Sequence, residues 1–160
     1  MAETQKPVIL VAVDESEHSF HALKWALDHF FVSKETHKFK LIIVHAVGSP
    51  ASYLGIAEVG SSEFVKALDS DLRKSAAITI QKAKDICSSK SVDDVSTEVI
   101  QGDPRNVLCE AIDKHHASIL VMGSHGYGAV KRAVLGSVSD YCAHHGHCNV
   151  IIIKNPKLQH

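Results

Sequence analysis

Residues Ile119-Leu-Val-Met-Gly-Ser-His-Gly-Tyr-Gly-Ala-Val-Lys-Arg-Ala-Val-Leu-Gly-Ser-Val-Ser139 change character twice within one short stretch. Ser118 to Met122 is an unbroken run of apolar, mostly branched side chains after one polar residue, the pattern of a strand covered on both faces. Gly123, Gly126, Gly128 and Gly136 then interrupt it, and a helix follows Gly136. A buried strand, a glycine loop and a helix in that order make the half-unit of an α/β protein with a parallel sheet.

The rest of the chain repeats that unit. Val8 to Val13 is a second continuous apolar run, and Asp14-Glu-Ser-Glu17 after it offers two ways to cap a helix, Asp14 with Glu17 or Ser16. Phe20, Leu23, Leu27, Phe30 and Phe31 fall on one stripe of that helix. Phe39 to Ala46 is another buried strand, ended by Gly48-Ser-Pro50. The stretch that follows, up to Ser62, has no clear periodicity and reads as a flap beside a site. From Ser62 to Lys90, Val65, Leu68, Leu72, Ala76, Thr79, Ala83 and Ile86 recur at helical spacing. Val95 to Ile100 alternates as a strand, and Gly102-Asp103-Pro104 opens a helix with Asp103 as cap and Pro104 in the first turn. That helix buries Val107, Leu108, Ala111 and Ile112, and Val150 to Ile153 forms a last strand. The alternation β-α-β-α-β-α-β-α-β, with right-handed crossovers, predicts one domain over residues 1–160, an open five-stranded parallel sheet with helices on both faces. Ligands of such sheets sit beyond the carboxyl ends of the strands, where the winding reverses.

Composition narrows the function. The 160 residues are 45% hydrophobic and 22% charged, with 17 Lys and Arg against 18 Asp and Glu, a formal charge of −1. No overall field draws the chain to nucleic acid or to anionic lipid, so any anion site must be local. The N-terminal segment carries Glu3, and the apolar run after it is too short for a signal peptide or a membrane span, so the expectation is a cytoplasmic protein. Cys87, Cys109, Cys142 and Cys148 show no C-x-x-C spacing and read as reduced, mostly buried thiols. Twelve histidines are many for this length. His144, His145, His147 and Cys148 invite a metal reading, but Gly146 breaks the helix between them and no second cluster lies at finger-like spacing, so no metal ligands are assigned.

The glycine loop favours an anion. A helix beginning near Ser137 leaves free amides at its N-terminus, where the dipole also favours negative charge. The glycines let backbone N–H groups approach phosphate oxygens without a Cβ in the way. Ser137 and Ser139 add hydroxyls, and Lys131 and Arg132 add charge. Singly, each has a plainer role, as turn former, cap or solvated cation; their combination after a buried strand points to phosphate. The P-loop pattern GxxxxGK[ST] is absent, GxGxxG fails at Lys131, and Ser124 is not in a G-x-S-x-G elbow.

The actual spacing is Gly123-x2-Gly126-x9-Gly136-Ser137. It resembles the G-x2-G-x9-G-(S/T) signature of the ATP-binding branch of the universal stress protein family. "VAVDES" at 11–16, "IVHAV" at 43–47, "GDPRNVL" at 102–108 and "CNVIIIK" at 148–154 also look like that family, and "GSHGYG" at 123–128 is similar to its plant members. Many relatives have Arg where this chain has His125. The resemblance implies strand order 3-2-1-4-5 in a Rossmann-like, adenine nucleotide alpha hydrolase-like sheet, and ATP or AMP as ligand, with or without Mg2+. It places Ala12 and Asp14 against the nucleoside, Val44 in the adenine pocket, and Met122 and Gly123 against ribose and phosphates. Gly126, Gly136, Ser137 and Val138 match the phosphate cradle, as does Ser139. It also implies a homodimer through strand 150–153, whose apolar edge is otherwise open to self-pairing.

Three functions fit these residues. The first is a nucleotide-binding stress-response protein that holds ATP or AMP as ligand or switch, with at most slow hydrolysis. The second is an adenylate-chemistry enzyme, but "DESEHS" at 14–19 carries neither an SGGxDS loop nor an HIGH-type motif. The third is a nucleotide-independent chaperone-like or signalling interaction protein.

Overall fold

The structure, a computed structural model, describes residues 5–32, 38–50, 62–125 and 136–155. Nine elements follow in order: β1 (Val8–Ala12), α1 (Glu17–Phe30), β2 (Lys40–Val47), α2 (Ser62–Ser89), β3 (Val95–Gln101), α3 (Pro104–His115), β4 (Ile119–Gly123), α4 (Ser137–His145) and β5 (Asn149–Ile153). The strands form one sheet in the order β3-β2-β1-β4-β5, with every neighbouring pair parallel. The expected architecture and strand order are therefore both present.

Pleating decides which face each strand residue serves, because successive side chains point to opposite sides. Ile9, Val11, Leu41, Ile43 and Val121 pack with Phe20, Leu23 and Leu27 of α1 and with Ile80 and Ala83 of α2. Leu10, Ile42, Val44, Leu120 and Met122 pack with Val107, Leu108, Ala111 and Ile112 of α3 and with Cys142 of α4. Two cores thus sandwich one sheet, which is why the central strands read as unbroken apolar runs. Each fully buried Leu or Ile contributes about 1.5–3 kcal/mol.

The helix ends follow from local chemistry. Ser16, not Asp14, is the N-cap of α1: its extended backbone lets Oγ accept from the Ser19 amide at 3.2 Å. Asp14 stands two residues earlier, and its Oδ1 accepts from both the Ser16 amide and the Ser16 hydroxyl. Asp103 caps α3 by accepting from Arg105 N at 2.9 Å, with Pro104 in the first turn. The expected stripe of α2 is only partly core: Ala76, Thr79, Ile80, Ala83 and Cys87 are buried, whereas Val65, Leu68 and Leu72 are half-buried. A helix of that length runs about 42 Å, longer than any strand it packs on. The expected flap before it lies mostly outside the described residues.

Burial pushes the Cys87 thiol up to about 11 and the Cys142 thiol up to about 12, and also raises Cys109 and Cys148. All four stay protonated at neutral pH, where a thiol is a poor nucleophile. Among the described residues no helix is long and apolar enough to cross a membrane.

Candidate functional site

The winding reverses between β1 and β4, and there the connections after the two strands part to opposite faces. A cavity of about 300 Å³ opens at their carboxyl ends. Ala12, Asp14, Val44, Met122, Gly123, Gly136, Ser137, Val138 and Ser139 all line it. Every residue selected from the sequence therefore comes to one hollow, apart from Gly126, which lies outside the described residues together with Lys131 and Arg132.

The hollow has two ends of different chemistry. Ala12, Val44, Ala46, Leu108, Met122 and Val138 form an apolar wall that continues the α3–α4 core. Asp14, Ser19, Ser124, Ser137 and Ser139, with the backbone of Gly123 and Gly136, form the polar end.

A hydrogen-bonded clasp holds the polar end. The Gly136 amide donates to the Ser124 carbonyl at 2.5 Å, joining the two ends of the glycine loop. Ser139 Oγ donates to the Gly136 carbonyl at 3.0 Å and lies 3.4 Å from the Ser124 carbonyl, so its hydroxyl serves the clasp. Ser124 N donates in turn to the Ile153 carbonyl, fixing the clasp to β5. The first helical amide accepted within α4 is that of Asp140, by Gly136 O at 3.0 Å. Gly136 is the N-cap and has no side chain to cap the amides before it. The N–H groups of Ser137 and Val138 thus begin a helix at the cavity wall with the positive end of its dipole.

The β1–α1 turn is fixed as firmly. Ser19 Oγ accepts from Asp14 N at 3.0 Å and lies 3.0 Å from the carbonyls of Asp14 and Ser16. Buried His45 donates from Nδ1 to the Val13 carbonyl at 2.8 Å, tying the end of β2 to the end of β1.

Val13, Ser19, Ala46, Pro104, Leu108 and Ser124 line the cavity without having been selected. Ala46 was within reach, since it follows Val44 on the same strand face. Leu108 was hidden because its helical position read as core, and Ser19 because the capping motif before it drew the reading to Asp14 and Ser16. The histidines at the end of α4 have separate partners: His144 donates from Nδ1 to the Asp140 carbonyl, the His145 ring lies tilted against Tyr141, and His147 lies 3.0 Å from Asp113 Oδ1.

A doubly wound parallel sheet with a cavity at its reversal point and a glycine-led helix on the rim defines a Rossmann-like α/β protein. The profile described as "Universal stress protein family" matches residues 7–154, and the chain belongs to that family. Among relatives, it is 33% identical over 168 aligned residues to universal stress protein PHOS34 of Arabidopsis thaliana and 32% over 162 to PHOS32 of the same plant. The match takes in 91% of this chain but 61% and 64% of theirs, so the chain spans less than two thirds of these relatives. Two solved structures share the fold at TM-score 0.65: an Arabidopsis thaliana universal stress family protein with AMP bound, and a universal stress protein in complex with cAMP. They are 24% and 23% identical; the matches cover 95% and 92% of this chain and 94% and 96% of theirs.

Proposed function

We propose that this chain binds an adenine nucleotide, ATP or AMP, in the cavity between β1 and β4 and acts through the bound ligand in a cytoplasmic stress response. One observation carries the reading: residues chosen for nucleotide contact from the sequence line a single hollow that is apolar at one end and rimmed by an uncapped helix N-terminus at the other. The purine lies against Val44, Leu108 and Met122, where burying its faces replaces water with apolar contact. Asp14 takes the nucleoside side, since a carboxylate accepts from ribose hydroxyls or an exocyclic amine and repels phosphate. The phosphate sits over Ser137 and Val138, whose amides and helix dipole together favour an anion. Gly126 and the loop cations extend this cradle along the phosphate chain. AMP and cAMP bound to relatives of the same fold support the choice of an adenine nucleotide.

Holding is favoured over turnover. The carboxylate at the polar end, Asp14, has its Oδ1 committed to the Ser16 amide and hydroxyl and stands on the nucleoside side, poorly placed as a base for a γ-phosphate. Hydrolysis is therefore slow where it occurs.

Titration calorimetry with AMP, ADP, ATP and cAMP tests the assignment. At least one is expected to bind one per chain and, at a hundred times its Kd, to stabilise the fold by about 2.7 kcal/mol. That corresponds to a rise in Tm of about 5–10 °C for a chain of this size. No heat and no thermal shift with any of the four would remove the assignment.

The same reading includes a homodimer through β5. Among the described residues this strand pairs with β4 alone, and Val150, Ile151 and Ile152 are half-buried along its other edge. Antiparallel pairing of two copies about a two-fold axis covers that edge. Ile152→Lys is expected to convert a dimer to monomers in sedimentation velocity; an unchanged profile counts against this interface.

A further inference from the structure

His18 and His125 come from different elements and meet beside the cavity. His18 is the second residue of α1, and His125 follows the end of β4 by two residues. Their rings stand edge to face with centroids 5.3 Å apart and an interplanar angle of 77°. Nδ1 of each ring is buried and, among the described residues, has no hydrogen-bond partner. Buried polar atoms in folded proteins almost always have a partner or hold an ion or water, because leaving one unsatisfied is costly. Two on facing imidazoles call for a common explanation.

We propose that His18 and His125 together bind one divalent transition-metal ion of the zinc, cobalt and nickel class. Imidazole nitrogen binds zinc at about 2.0–2.1 Å, so two imidazoles on one tetrahedral ion hold their ring centroids about 5 Å apart. The observed 5.3 Å is close to that spacing. Imidazole suits zinc, nickel and copper, whereas magnesium takes oxygen ligands, so the pair selects against the hard cations that usually accompany nucleotides.

Metal binding needs neutral imidazole, and protons compete for it. Burial, first, and then the neighbouring His125 and His21 hold His18 below its ordinary 6.5, outweighing Asp14 and Glu17, which act the other way. The same two carboxylates, on the β1–α1 turn and the first turn of α1, lower the cost of bringing a dication to the pair.

Among the described residues no group of three His, Cys, Asp or Glu converges on one point, so the ion takes its remaining ligands from outside this set. Water fills them, as at zinc sites that keep an open position. The pair borders the proposed ligand cavity, because Gly123 of the cavity wall touches the main chain of His18, and Ser124 of the same wall precedes His125. The site is independent of the nucleotide assignment and can be tested without nucleotide.

The test uses the untagged chain titrated with Co2+, read by its visible absorption, and with Zn2+, read by calorimetry. One ion per chain is expected. His18→Gln and His125→Gln should each weaken it by about tenfold or more. The double variant His144→Gln/His147→Gln should leave it within about twofold, because those side chains diverge. Nitrogen-detected NMR of the wild-type chain with Zn2+ keeps the decision independent of how the variants fold: Nδ1 of His18 and His125 should move together at one equivalent. Absence of binding by the wild type overturns the proposal. So does undiminished binding by both single variants, or shifts confined to other histidines.

Discussion

Gly136→Val is expected to lower AMP affinity by at least about a hundredfold, which is roughly 2.7 kcal/mol. A Cβ at this position would stand 2.8 Å from the Ser124 carbonyl oxygen and 3.4 Å from the His125 Cα. The nearer atom is the acceptor that holds the Gly136 amide at 2.5 Å, so the clash falls on the clasp itself. Neither side can yield cheaply. Ser124 is anchored to the Ile153 carbonyl, and the Gly136 carbonyl receives the Ser139 hydroxyl and the Asp140 amide. Overpacking of this kind costs about 1–3 kcal/mol in strain or displacement. The cheapest relief moves the first turn of α4 away from the cavity, carrying the Ser137 and Val138 amides out of reach of a phosphate. Calorimetry with AMP reads the loss directly, and circular dichroism reports whether the helices persist. Binding within about threefold of the wild type would show that the phosphate does not sit at this helix end.

That effect was foreseeable only in part. Gly136-Ser137 after a strand and a loop announced a helix N-terminus, and the runs Val8–Val13 and Ser118–Met122 announced central strands, because a strand covered on both faces leaves no polar positions to confuse the period. The order of the strands did not come from periodicity; it came from the resemblance, since local pattern carries no information about which parallel strand lies beside which. Ser16 and Asp14 were indistinguishable as caps, because both types bond backbone amides at that spacing, and here one caps the helix while the other holds the cap. Leu108 reaches the cavity only because α3 packs against the sheet face that carries Val44 and Ala46, a tertiary fact. Val65, Leu68 and Leu72 kept the helical period of α2 yet are half-buried, since periodicity reports a face and not what covers it. The pairing of His18 with His125 was equally invisible: their closeness exists only after α1 packs on the end of β4.

That packing makes a second large effect. Gly123→Val should cost the fold about 3 kcal/mol, read as a lower midpoint in guanidinium at unchanged m-value and a fall in Tm of about 6–12 °C. Two influences oppose each other here. A side chain in a strand restricts the unfolded chain and suits an extended backbone, which alone would stabilise by about 0.4–1 kcal/mol. Against this, the first added carbon would lie 2.9 Å from both the carbonyl carbon and the carbonyl oxygen of His18 and 3.1 Å from its Cβ. The first two are main-chain atoms in the first turn of a helix and the third is fixed to that main chain, so none can swing aside as the end of a flexible side chain can. Nor can α1 retreat as a body without loss, because Ser19, Phe20, Ala22, Leu23, Ala26 and Leu27 are all buried on its inner face and Ser16 caps it in place. The collision therefore outweighs the propensity gain, and Gly123→Ala should lie between wild type and Val, with the sign of its change already destabilising. A neutral or stabilised Gly123→Ala chain would mean that α1 stands further from β4 than these contacts require. Both the Asp14–Ser19 wall of the cavity and the His18–His125 pair would then have to be redrawn.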